Sequence, residues 1–213
     1  MSQWSDDVSL EAMAQDVLEL LDDAGLERAA LCGHSLGGKV AMVAALSAPE
    51  RVSSLIIADI APVTYGPNDA GWGSNVAVME ALSALPGTAL ADRKDADQAL
   101  GAAGIADAGI RAFLLQNLVP EERRWRFNLP VLKRSFGTVF AGFPELPAAP
   151  MTVPVRVIAG AKSTYCHTPE HIAAVEHFFP GMETQGAHFL DAGHWLHAER
   201  PKEFGDLVED FLE

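Results

Sequence analysis

Apolar residues at Leu10, Met13, Ala14, Val17, Leu20, Leu21 and Ala24 recur three and four positions apart, the spacing that lays one stripe along a helix. Ser9 stands before the run as an N-cap and Gly25 after it as a stop, so the first predicted element is an amphipathic helix. Ala29 to Cys32 is a short unbroken apolar run that meets Gly33, and Gly37 to Ser47 reads as a buried helix ended by Pro49. The pattern there is strand, tight turn, helix. Val52 to Ala58 reads as a second buried strand, with Val153 to Ala159 and Ala187 to Leu190 as weaker candidates for a third and fourth. Thr168 caps a helix with Pro169 at its first position, and Pro201 to Leu212 closes the chain as another. Strands alternating with helices predict an α/β fold built on a mostly parallel sheet.

That rhythm breaks between Pro62 and Pro150. Helical segments near Ser74 to Leu85, Asp92 to Ala103 and Asp107 to Leu118 lead into an aromatic, basic piece from Glu121 to Phe136. We read residues 62–150 as a helical lid inserted into a core made of residues 1–61 and 151–213, with a separate helical domain as the alternative. Met79, Leu82, Phe113, Leu114 and Trp125 are candidates to line a pocket under the lid, although their helical spacing favours ordinary packing.

Composition narrows the partners. With 15 Lys and Arg against 29 Asp and Glu, the net charge of −14 repels phosphate backbones and anionic lipid, so neither nucleic acid nor membrane is expected. No apolar run approaches the roughly 18 residues of a membrane helix, and the first residues are acidic where a secretory signal begins basic. The two cysteines are too few for a disulfide framework, and Cys32, inside an apolar run, reads as a small core residue. A reducing, cytoplasmic location is expected.

The chemistry concentrates at the first strand-to-helix junction. Gly33-His34-Ser35-Leu36-Gly37-Gly38 is a nucleophile elbow: glycines flank a serine on a turn too sharp for neighbouring side chains, and the Leu36 N–H at the helix start can stabilise an oxyanion. His34 is a supporting residue beside it. Gly33, Gly38 and Lys39 also spell a phosphate-binding loop, and Leu55 to Asp59 resembles the strand and aspartate that accompany one, but Val40 stands where a Mg²⁺-binding Ser or Thr is required.

An activated serine needs a base. Of seven histidines, His194 follows Gly193 in a loop after a strand and just before the last helix, the position such a base occupies. His197 is expected to brace that loop, and Asp191, His194 and His197 make only a weak metal cluster with no further ligand evident. Chain order confines the orienting acid to residues between Ser35 and His194. Two strand ends could supply it, but no acid follows Ala159 before Glu170, which leaves Asp59 at the end of the second strand. Capping a loop is the competing role for Asp59. Ser163 is either a bridge between Asp59 and His194 or part of the loop alone.

At this point GHSLGGKVAM, DIAPVTY, FLLQNLV, WRFNLPVL, KSTY and GHWLHAERP, spread over the whole chain, together resemble the α/β-hydrolases, and closely the YbfF-type bacterial esterases. The resemblance implies a serine esterase acting on small esters or thioesters of short to medium acyl chains, with Ser35, His194 and Asp59 as its triad and no cofactor. In hydrolases of this type the acid often stands where this chain has Ser163. Superfamily members normally place the first strands, and a His-Gly loop that supplies a second oxyanion donor, before the nucleophile, so an N-terminally truncated chain is expected, its elbow strand left at a sheet edge. The alternatives are a catalytically impaired fragment or binding module of the same fold, and a carbon–carbon bond hydrolase or lyase on that scaffold.

Overall fold

The computed structural model describes residues 4–67, 69–146, 153–182 and 186–213. The chain opens on α1 (Leu10–Asp23), β1 (Ala29–His34), α2 (Leu36–Ser47) and β2 (Val52–Ala58). It continues through α3 (Ala70–Ala84), α4 (Arg93–Ala102), α5 (Ala108–Leu115), the two-residue strands β3 (Leu118–Val119) and β4 (Arg124–Trp125), and α6 (Leu129–Ser135). It closes on β5 (Val155–Gly160), α7 (Pro169–Phe178), β6 (His188–Leu190), α8 (Leu196–Glu199) and α9 (Pro201–Leu212). The capping residues act as their chemistry dictates: Ser9 Oγ accepts the Ala12 N–H at 3.1 Å, and Thr168 Oγ1 accepts the His171 N–H at 3.2 Å.

These elements gather into two compact units, Ser9–Thr64 with Val139–Glu213, and Met1–Val8 with Tyr65–Thr138. The first contains a parallel sheet in the order β1-β2-β5-β6. Its middle strands carry the core: Leu55, Ile56, Ile57, Val155, Val157 and Ile158 are buried, as residues covered on both faces must be. Leu10, Ala14, Val40, Val43 and Ala44 of α1 and α2 cover one face. On the other, Ile56, Ile158 and Leu190 pack with Leu196 of α8 and Phe204, Leu207, Val208 and Phe211 of α9. Arg156 on this face is buried within the otherwise apolar β5 because its guanidinium reaches across to Asp210 of α9 at 2.9 Å.

β1 stands at the sheet edge. Its edge position is the expected one, and it leaves Cys32 exposed, which corrects the expectation that Cys32 is a core residue. Beside this edge lies a groove of about 410 Å³ lined by Met13, Val17, Leu31, Leu36 and Val40.

The second unit has a core of its own, in which Ala96, Leu100, Leu114, Leu118 and Trp125 are packed together. Leu82, Leu114 and Trp125 thus have packing roles, while Phe113 is exposed. The helix expected to run through Leu118 stops at Leu115. Pro120 disfavours helical backbone at Val119, and the chain turns into the short antiparallel pair β3–β4 instead. The lid boundary drawn at Pro150 lies outside the described residues.

Candidate active site

Parallel strands present their C-terminal ends to one crevice, and within the sheet unit every residue of interest follows such an end. Ser35 follows β1, Asp59 follows β2, Ser163 follows β5 and His194 follows β6. The turn at Ser35 is sharp: its backbone holds φ 54° and ψ −123°, and its N–H donates to the Ala58 carbonyl at 3.0 Å. Gly33 makes this possible, since a Cβ there would lie 2.3 Å from the Gly37 carbonyl oxygen. Leu36 is the first residue of α2, so its N–H belongs to the set a helix start leaves without an intrahelical acceptor.

His194 joins the two strand ends. Its Nε2 lies 2.9 Å from Ser35 Oγ and its Nδ1 lies 2.7 Å from Asp59 Oδ2. Asp59 is fully buried, and its oxygens are claimed by named donors: Oδ1 accepts the Gly160 N–H at 2.9 Å, while Oδ2 accepts Ser163 Oγ–H in a short contact as well as the imidazole. Ser163 Oγ in turn accepts the Tyr165 N–H at 3.2 Å. With Nδ1–H directed at the carboxylate, Nε2 is placed to accept a proton from Ser35 Oγ, an arrangement that can activate a hydroxyl.

The imidazole is packed from both sides. The Tyr165 ring centroid lies 4.3 Å from that of His194, and the His34 centroid lies 4.7 Å from it. His34 Nε2–H donates to the His194 carbonyl at 2.7 Å. Burial pushes the His34 pKa down to about 4, with further lowering from the neighbouring histidines, so His34 is neutral around pH 7 and acts as a brace without competing for the proton. His197 stands edge-on to His34 at 4.5 Å.

Three contributors carry no strong signal in the sequence. Gly160 lets the histidine loop pass over the end of β5, because a Cβ there would meet the Gly193 carbonyl oxygen at 2.2 Å. Glu199 of α8 accepts the Gly193 N–H at 2.9 Å and so ties the same loop to the helix that follows. The Tyr165 contact depends on how the loop after β5 folds back. Among the rejected alternatives, Asp191 is engaged with Lys162 (2.6 Å) and Arg200 (3.1 Å), which hold its carboxyl below the usual range. Cys166 is buried nearby, and burial followed by the Asp59 charge pushes its thiol up to about 12, leaving it protonated. Lys39 is turned inward onto backbone carbonyls, so the lysine of a phosphate loop is not presented there. Among the described residues no group of three or more His, Cys, Asp or Glu is placed to hold a metal ion.

The sequence is 38% identical over 216 residues to the sn-1-specific diacylglycerol lipase ABHD11 of Mus musculus, an alignment covering 99% of this chain and 67% of that protein. It is 32% identical over 190 residues to the esterase YbfF of Escherichia coli (strain K12), covering 89% and 69% respectively. The chain therefore spans about two thirds of the length of these curated relatives. A solved marine microorganism esterase superposes with a TM-score of 0.89 at 31% identity, over 97% of this chain and 78% of the other. The α/β hydrolase family model matches residues 2–207, and with nearly the whole sequence aligned to that pattern, the chain belongs to the α/β hydrolase family.

Proposed function

We propose that this protein hydrolyses carboxyl esters through an acyl-enzyme formed on Ser35. The observation that carries the reading is the continuous link Ser35 Oγ, His194 Nε2, His194 Nδ1, Asp59 Oδ2, with contacts of 2.9 and 2.7 Å. Esterases and a lipase among the relatives support ester hydrolysis as the reaction class.

In the proposed reaction Ser35 Oγ attacks the ester carbonyl carbon while its proton passes to His194 Nε2. The buried Asp59 stabilises the imidazolium that results, and the oxyanion is met by the Leu36 N–H at the positive end of α2. His194 then returns the proton to the departing alkoxide, which leaves as the alcohol. Water, deprotonated by the same histidine, cleaves the acyl-serine and releases the acid. These steps need no cofactor. We further propose small-molecule esters or thioesters of short to medium acyl chains as substrates, and the helical unit around Tyr65–Thr138 as the lid over them. A cytoplasmic setting is part of the proposal: Cys32 and Cys166 are both free thiols, and no helix among the described residues is long and apolar enough to cross a membrane.

The test is turnover of a p-nitrophenyl ester series from acetate to laurate, with Ser35→Ala as control. Hydrolysis that favours the shorter half of the series and vanishes in Ser35→Ala is the expected outcome. Turnover that survives Ser35→Ala removes Ser35 from the mechanism, and a laurate optimum removes the chain-length assignment.

A further inference from the structure

Lys39 has no part in the chemistry above, yet it is only 1% exposed, a full-length cation carried into the interior of the sheet unit. It lies on α2, about one turn beyond Ser35. Its Nζ donates to the carbonyl oxygens of Gly142 (2.6 Å), Ala141 (2.8 Å) and Val63 (2.9 Å), with that of Phe140 at 3.5 Å. An ammonium has three protons, and the three short contacts use all of them.

Those acceptors come from two stretches of chain far apart in sequence. Val63 lies just before Tyr65, where the chain leaves the sheet unit, and residues 140–142 follow Val139, where it returns. Neither stretch is paired in the sheet, so its carbonyls need donors from elsewhere, and one side chain supplies both. We propose that Lys39 is a positioning residue: a clasp that fastens the outgoing and returning crossings of residues 65–138 to the helix that carries Ser35. Its catalytic consequence rests on the reading of Ser35 as nucleophile. The clasp itself does not.

Burial pushes the Lys39 ammonium down to about 7, so near neutrality the group passes between three N–H donors and two. Either form keeps one donor for each crossing. An apolar side chain of similar reach keeps none, and withdraws the donor from carbonyls at both crossings, that of Ala141 buried and that of Val63 partly so.

The test compares Lys39→Met with Lys39→Gln in the full chain by hydrogen–deuterium exchange and ester kinetics. Methionine has no donor, whereas the glutamine amide has two N–H groups. In Lys39→Met, amides of residues 63–66 and 140–143 are expected to exchange about tenfold faster, the equivalent of one lost hydrogen bond, while those of β2 and β5 hold their wild-type rates. KM is expected to rise several-fold with kcat little changed, and Lys39→Gln to recover most of both effects. Unchanged exchange at the crossings, a response at only one of them, or equal acceleration throughout the sheet overturns the proposal. If Lys39→Met does not fold, wild-type exchange in rising urea decides: the two crossings must open in one step, and separate steps refute the clasp. Exchange settles the clasp regardless of whether Ser35 reacts with a fluorophosphonate, a separate labelling that settles the serine reading.

Discussion

Ser35 and Asp59 hold φ values of 54° and 53°, a region that non-glycine residues enter only when their surroundings compel it. Both sit immediately after a β-strand, and His194 bridges them. Asp59 is the more constrained of the two, since Gly160 N–H, Ser163 Oγ–H and His194 Nδ1 all converge on its carboxylate. Asp59→Asn would keep the shape but present an amide to Nδ1, favour the wrong imidazole tautomer and lower kcat by about 10⁴. Ser163→Ala removes one donor of three and should cost roughly tenfold. Both are read from kcat on a p-nitrophenyl ester, and an Asp59→Asn variant close to wild type would show that this carboxylate only braces its loop. Ser35, Asp59 and His194 were legible in the sequence because each follows a strand end in the right chain order. Lys39 was not: its spacing from Gly33 imitates a phosphate loop, and only the folded chain brings Val63 and residues 140–142 around it.

At the scale of elements, the site depends on how the loop after β6 crosses the end of β5. The bare backbone of Gly160 touches that of Gly193, with the next residue of the loop being His194. Gly160→Ala would place a methyl group 2.2 Å from the Gly193 carbonyl oxygen and 2.7 Å from that of Ala192, and backbone has no rotamer through which to yield. The loop must shift, and displacing a catalytic group by even about 1 Å costs on the order of 10²-fold. We expect kcat/KM to fall by roughly that factor while circular dichroism stays that of the wild type. Wild-type kinetics in Gly160→Ala would mean that the loop accommodates the methyl without moving His194. The strands and helices themselves were largely legible, down to the Ser9 and Thr168 caps, because capping and periodicity are local. What escaped was non-local or very short: the Gly160–Gly193 contact joins residues of different strand ends, and β3–β4 pairs only two residues on each side.

For the whole molecule, Lys39 makes stability depend on pH with a definite sign. Its pKa in the folded chain is about 7 against an ordinary value of 10.5, so between these limits the unfolded chain binds the more protons and folding grows more favourable as pH rises. Below pH 7 both states carry the proton and the full cost of burying the charge is present. The urea midpoint of the wild type should therefore climb relative to that of Lys39→Gln between pH 7 and 10, and parallel curves would contradict the burial argument. The family match over residues 2–207 and the link between Ser35 and Asp59 through His194 support the central proposal, that Ser35 is an activated nucleophile. Mass spectrometry after fluorophosphonate treatment tests it most directly, because phosphorus is attacked by the same oxygen that attacks an ester carbonyl. The account predicts one covalent adduct, mapped to the peptide containing Ser35 and absent from both Ser35→Ala and His194→Ala. An adduct on another residue, or undiminished labelling in Ser35→Ala, would contradict it.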